Sequence, residues 1–317
     1  MDIKDQFYGT EIEMTGITRR DAAAALAELF GTRASYSGGR YSAWVVKDQE
    51  GKTWSIVYDS SIRAKKKSGC EYISTSDDEF KVEMVSPKLE YSEMEKLQDV
   101  VRALRHAGAI VGEQCGQHVH IDAANHTPQS LKNALSIMYS KEDILFKALQ
   151  VDESRVGRWC KKVRETMLKN VRKLPSNASM SEVKKLWYDG RGGSANHYDE
   201  TRYHALNLHA VFSHGTLEWR CFNSTLHAGE VRANITLALA ISALAINQKC
   251  AHMSKTPITE NPCFTFRTFL LRLGMIGPEY KNVREHLLCH LEGDRAWRYS
   301  KDSYECLKTK KRQEPER

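Results

Sequence analysis

No CxxC pair, no HExxH segment and no GxxxxGK(S/T) loop occurs in the 317 residues. These absences argue in turn against a paired-cysteine redox or zinc site, a zincin-type protease and a P-loop nucleotide site. Proline is scarce, at seven, and the 19 glycines follow no period, which excludes collagen-like and proline-rich architectures. The longest apolar run, Ile235 to Ile246, is interrupted by Thr236 and Ser242 and falls short of the ~20 residues that span a bilayer. No membrane partner is therefore expected. The opening Met1-Asp2-Ile3-Lys4-Asp5 is charged rather than secretory, and the eight cysteines are dispersed. Both features lead to the expectation of a cytoplasmic protein with reduced thiols. Charge of one sign is also in short supply: 47 Lys and Arg against 40 Asp and Glu leave +7. That excess suits a phosphate-bearing anion but is modest for a dedicated nucleic-acid binder.

What is present is globular in type. With 41% hydrophobic and 27% charged residues, the chain can bury a core in one large domain or two ordinary ones. Alternation predicts strands at Phe7–Ile17, Tyr41–Lys47, Thr53–Tyr58, Phe80–Val85 and His118–Ile121, with the adjacent strands Tyr203–Phe212 and Gly215–Phe222 later. Helical spacing predicts helices at Ala22–Phe30, Tyr91–Ala107, Pro128–Leu149, Gly229–Ala251, Thr265–Leu273 and Val283–Leu291. From Ser154 to about Leu186 the chain reads as helical and basic, followed by the glycine-rich Gly190-Arg191-Gly192-Gly193-Ser194. Hairpins broken by helices indicate an α+β fold.

Chemistry concentrates in the strands. Glu11 and Glu13 stand at i and i+2, so period two puts both on one sheet face and Ile12 on the other. Glu83 lies among apolar neighbours; His118, His120 and Asp122 share a face; Glu218 and Arg220 share another, with Leu217 and Trp219 opposite. One such strand is ordinary for a solvated sheet face. Four strands that choose Glu, His and Arg over Lys, Thr and Ser are not. Converging carboxylates and imidazoles need divalent cations to offset repulsion, and oxygen-rich ligation favours Mg²⁺ or Mn²⁺ over zinc. An arginine beside them suits a phosphate.

These segments, in order, resemble the amidoligase family of the carboxylate–amine ligase superfamily, which includes glutamate–cysteine ligase and glutamine synthetase. The matching pieces are Gly9-x-Glu11-x-Glu13, Asp59-Ser60-Ser61-Ile62, Glu83-x-x-Ser86-Pro87 and Gly116-x-His118-x-His120. They continue with Arg202-Tyr203-x-x-Leu206-Asn207-Leu208 and Glu218-x-Arg220-x-x-Asn223. The resemblance implies a glutamine-synthetase-like funnel of antiparallel strands with helices on its outer face. It further implies ATP-dependent joining of a carboxylate to an amine through an acyl phosphate. Glu11, Glu13, Glu83, His118 and Glu218 would hold Mg²⁺, with Mn²⁺ as an alternative, and Arg220 would stabilise the transferring phosphoryl. Asp59 would ligate metal or orient the amine. His120, Arg202 and Asn207 would contact nucleotide or substrate, and Asn223 substrate. The expected organisation is one catalytic domain over 1–304, with a basic helical insertion at about 154–196, then a charged, flexible tail over 305–317. Substrates are a carboxylate and an amine, with a peptide, a protein or a cell-wall precursor all admissible; the sequence assigns no oligomeric state.

Other readings are weaker. The His118-Val119-His120 pattern lacks the following glutamate of a cupin site. His204, His209, His214 and His227 read as structural or surface residues. Cys115 and Cys221 flank site strands without a Cys/His/Asn arrangement. For the basic stretch Arg155–Lys185, a solvated helical face is the leading reading. A lid or acidic-substrate dock comes second, and nucleic-acid binding, with Trp159, Trp187 and Tyr188 as stacking platforms, comes last.

Overall fold

The computed structural model describes residues 1–175, 177–299 and 304. Its strands are β1 Tyr8–Met14, β2 Ala34–Gly38, β3 Ala43–Lys47, β4 Thr53–Val57, β5 Lys65–Ser68, β6 Glu71–Ser74, β7 Val82–Val85, β8 Gly116–Asp122, β9 Leu206–Asn207 and β10 Thr216–Asn223. Its helices are α1 Arg19–Phe30, α2 Met94–His106, α3 Pro128–Ala148, α4 Glu153–Val156, α5 Glu165–Lys173, α6 Met180–Trp187, α7 His209–Ser213, α8 Ala228–Asn247, α9 Pro262–Arg272 and α10 Lys281–Leu288. Eight strands form one sheet in the order β2-β3-β4-β7-β1-β8-β10-β9, and every pairing in it is antiparallel. The fold is therefore mixed α and β around a large antiparallel sheet.

Period two sorts the two faces of this sheet. Tyr8, Ile12 and Met14 of β1, Trp54 and Ile56 of β4, Val82 and Met84 of β7 and Val119 and Ile121 of β8 are all buried and belong to one apolar core. Helices α1, α2 and α8 cover that core. The opposite face carries Glu11, Glu13, Glu83, His118, His120, Glu218 and Arg220. Helix α8 is apolar enough by length and composition to cross a membrane, but 72% of its apolar window is buried inside the fold. Its buried Asn234 donates to Gln117 Oε1 at 2.8 Å, tying the helix to the underside of β8.

Three local expectations change. The predicted strand Tyr203–Phe212 shortens to β9 and then turns into α7, whose N-cap is Leu208; in the connecting turn the Asn207 side chain accepts the His209 amide at 2.8 Å. The polar stretch after Ile62 contains the hairpin β5–β6, whose exposed faces give no hydrophobic alternation to read. Gly69, at φ +62°, makes its turn. The basic stretch is three short helices, α4 to α6, with α5 packed on α3. The proposed tail over 305–317 lies outside the described residues.

Candidate active site

The register builds the site. Glu11 sits opposite His118 across β1–β8, Glu13 opposite Glu83 across β1–β7, and Glu218 opposite His120 across β10–β8. Residues from four strands thus share one face at neighbouring positions, where cross-strand side chains touch. Two ligand sets result: Glu11, His118 and Glu218, and Glu13, Glu83 and His118. Within each, one donor atom per residue lies within 4.8 Å of the others. His118 belongs to both.

Hydrogen bonds fix these groups. His118 Nδ1 lies 2.8 Å from Glu11 Oε2, and the backbone N–H of Gly116 donates to Glu13 Oε2 at 2.7 Å. Asn207 Nδ2 donates to Glu218 Oε2 at 2.6 Å, while Arg220 Nη1 donates to Glu218 Oε1 at 2.5 Å. His120 Nδ1 lies 3.1 Å from Thr216 Oγ1. Its Nε2 is buried without an aligned partner, 3.4 Å from Glu11 Oε1.

Burial and repulsion spread the proton affinities of the carboxyls. Burial, then the charges of Glu11, Asp59 and Glu13, pushes Glu83 well above the usual carboxylate range. Burial and Asp59 push Glu13 up to about 7. Burial works against Glu218 too, but the guanidinium of Arg220 and the two imidazoles outweigh it and hold Glu218 at about 2. Burial also opposes ionisation of Glu11, and His120 and His118 overcome it. The face therefore carries more carboxylate than its one paired guanidinium can neutralise. An oxygen-rich donor set with one or two imidazoles and surplus negative charge fits Mg²⁺ or Mn²⁺.

Two cavities flank the cluster. One, of about 460 Å³, is lined among others by Gly9, Ser86, His120, Asn207, Thr216 and Glu218. The other, of about 580 Å³, is lined among others by Glu13, Asp59, Glu83, His118, Arg155 and Arg220. Glu11, His197 and Arg202 line both. Arg202 donates to His197 O at 2.8 Å, so this pair stands on the divide. Above the second cavity, Arg40 of the β2–β3 turn meets Tyr198, with its guanidinium 5.6 Å from the ring.

The structure brings Glu11, Glu13, Asp59, Glu83, His118, His120, Arg202, Asn207, Glu218 and Arg220 to this trough. Asn223 lies elsewhere. Its amide is spent on the chain around α4, accepting from the Asp152 amide and Arg155 and donating to Gln150 O at 2.7 Å. It is an anchor for that segment and lines neither of the two cavities. Cys115 and Cys221 are buried, and burial raises both thiols, Cys115 to about 12, which disfavours the thiolate of each. Of the histidines read as structural or surface, His209 and His214 line the first cavity.

Sequence reading missed Arg155. It belongs to the basic stretch but is 2% exposed, its guanidinium donating to Phe222 O at 2.7 Å, Arg220 O at 2.9 Å and Asn223 Oδ1 at 3.1 Å. It thereby holds the irregular end of β10 that carries Arg220. Its apolar neighbours Val151, Val156 and Cys160 are the only sequence signal that it points inward.

A family model described as "putative amidoligase enzyme" matches residues 4–242. The chain belongs to the amidoligase family. The matched span contains all ten strands of this amidoligase and every residue of both ligand sets, and it ends within α8. Helices α9 and α10 lie beyond it. No curated protein matches the sequence of this amidoligase. A solved structure similar to it in chain course is a bifunctional glutathione synthetase from Pasteurella multocida, at 11% identity and a TM-score of 0.34. The match covers 90% of the present chain and 47% of that one, so the chain spans about half its length.

Proposed function

We propose that this amidoligase is an ATP- and Mg²⁺-dependent carboxylate–amine ligase whose sheet is the glutamine-synthetase-like funnel of its superfamily. The γ-phosphoryl of ATP would pass to a substrate carboxylate, and an amine would then displace phosphate, giving an amide, ADP and phosphate. The observation that carries this reading is the pair of acidic ligand sets sharing His118, set between two cavities with Arg220 beside them. Two ligands meeting at a metal cluster is what a transfer between them requires.

Each residue has a role in this scheme. Glu11, Glu13, Glu83, His118 and Glu218 would hold Mg²⁺, with Mn²⁺ as the alternative; bound there, the metal supplies charge neutralisation for the phosphates. Arg220, pinned by Glu218, is pre-aimed at the face where negative charge develops, so no reorganisation is needed during reaction. His120 and Asn207, both in the smaller cavity, serve the nucleotide, and Arg202 spans both cavities. Asp59, in the larger cavity, receives and orients the amine. Arg40, Tyr41 and Tyr198 at the mouth of that cavity suit an anionic, extended donor such as a peptide, a protein segment or a cell-wall precursor. A cytoplasmic setting is consistent with the free thiols among the described residues.

Product analysis tests this reading. Protein supplied with Mg²⁺, ATP and pools of carboxylates and amines releases ADP only when both substrates are present, and mass spectrometry finds the ligated product. ADP release with no ligated product makes the chain an ATP hydrolase. Full turnover by Glu13→Gln and Arg220→Ala variants places the chemistry elsewhere.

A further inference from the structure

A third ligand set lies outside the trough. His227, the N-cap of α8, Glu230 in its first turn and His286 of α10 each offer a donor atom within 4.8 Å of the others. The His227 and His286 rings converge, with centroids 5.0 Å apart. Between them the chain has Gly229. A β-carbon there would lie 2.5 Å from His286 Nε2 and 3.1 Å from His227 Cε1, so the approach of the two imidazoles depends on a missing side chain. Glu230 and His286 also line a cavity of about 330 Å³ that contains His290, four residues past His286.

From this we infer that His227, Glu230 and His286 bind a zinc ion, with water completing its coordination, and so clip α10 to the start of α8. Two imidazoles and one carboxylate are a zinc donor set, unlike the oxygen-rich trough. The carboxylate is already oriented, since Thr225 Oγ1 donates to Glu230 Oε2 at 2.6 Å and leaves Oε1 for a metal. An imidazole that gives one nitrogen to zinc carries its proton on the other, so His227 Nδ1 must release the Glu230 amide it accepts at 3.3 Å. That loss is small, because the same amide donates to His227 O at 2.9 Å. The clip has a structural purpose. Helix α10 lies beyond the matched residues 4–242, and α8 lies largely within them, so zinc fastens the added C-terminal helices to the amidoligase body.

Zinc counting on the full chain tests the site. The chain is stripped with EDTA and dialysed against ZnCl₂, alongside His227→Asn and His286→Gln variants. Asparagine at 227 keeps a capping side chain, and neither residue belongs to the trough. The parent retains one more zinc equivalent than either variant, and zinc slows amide exchange across 281–288 in the parent alone. Glu11→Gln, which disturbs the trough, leaves that exchange effect intact. Equal zinc content in parent and variants, or no zinc effect on exchange in the parent, overturns the proposal.

Discussion

Gly116 and Arg155 are packed so closely that a β-carbon on the glycine would lie 2.4 Å from Arg155 Nη2. The first residue of β8 and a side chain from α4 thereby share one space, and the Gly116 amide also holds Glu13. Gly116→Ala should displace the guanidinium and cost about 1–3 kcal/mol, as overpacking does. Chemical denaturation measures the loss. A parallel fall in kcat is expected because Arg155 bonds the Arg220 carbonyl.

The buried arginine and its exposed neighbours should separate cleanly. Arg155→Gln strands buried acceptors and should cost at least about 2 kcal/mol. Arg158, Lys169 and Lys173 are exposed, and their change to Gln should move stability by no more than about 0.5 kcal/mol each. Thermal melts of the four variants make the comparison. A large loss at Lys169 or Lys173 would mean that this face is covered by something, contrary to the solvated reading.

Arg220→Lys keeps the charge but loses the planar fork that joins Glu218 Oε1 to the cluster. Turnover should fall about 10²–10³-fold, the scale of removing one preorganised donor. Asn207→Ala frees Glu218 Oε2 and should weaken Mn²⁺ binding about 10–100-fold, since it only orients a ligand. Mn²⁺ titration followed by electron paramagnetic resonance separates the two effects: Arg220→Lys keeps most of its metal affinity, Asn207→Ala does not.

Glu142 gives a pH signature away from the trough. It is fully buried on α3, accepts the Val163 amide at 2.6 Å, and burial pushes its carboxyl up to about 7 from an ordinary value of 4.5. The folded chain therefore favours the protonated form, and the stability it contributes below pH 4.5 is lost as pH rises through 7. Glu142→Gln should remove that slope, on the order of 3 kcal/mol across the interval. Glu13 and Glu83 slope the same way, so the measured quantity is the difference between parent and variant melts. The low proton affinities of Glu11 and Glu218 act below pH 4.5 with the opposite sign, outside this window.

Much of the trough was legible because a strand displays alternate residues on one face: Glu11 with Glu13, His118 with His120 and Glu218 with Arg220 are each two apart. Which strands adjoin was not legible, since β1 lies between β7 and β8 through hydrogen bonds that no local pattern encodes. Edge elements escaped for a different reason. The hairpin β5–β6 buries too little to alternate, and β9 is only two residues long before the chain turns into α7. Arg155 was hidden by its company, as one inward residue in a run of solvated basic ones. Asn223 misled in the opposite sense. It stands in motif register after Arg220, and the shift in pairing between Trp219 and Phe222 sets it opposite Gly116, but there its amide is taken up by Asp152, Arg155 and Gln150.

The two ligand sets that share His118 also differ in age along the chain. Glu13, Glu83 and His118 all lie on strands that precede α3, whereas the other set is incomplete until synthesis has run on from His118 to Glu218. A chain emerging N-terminus first thus carries every residue of one proposed ligand set well before it carries Arg220. A product of translation halted inside the basic stretch would hold Glu13, Glu83 and His118 without Glu218 or Arg220.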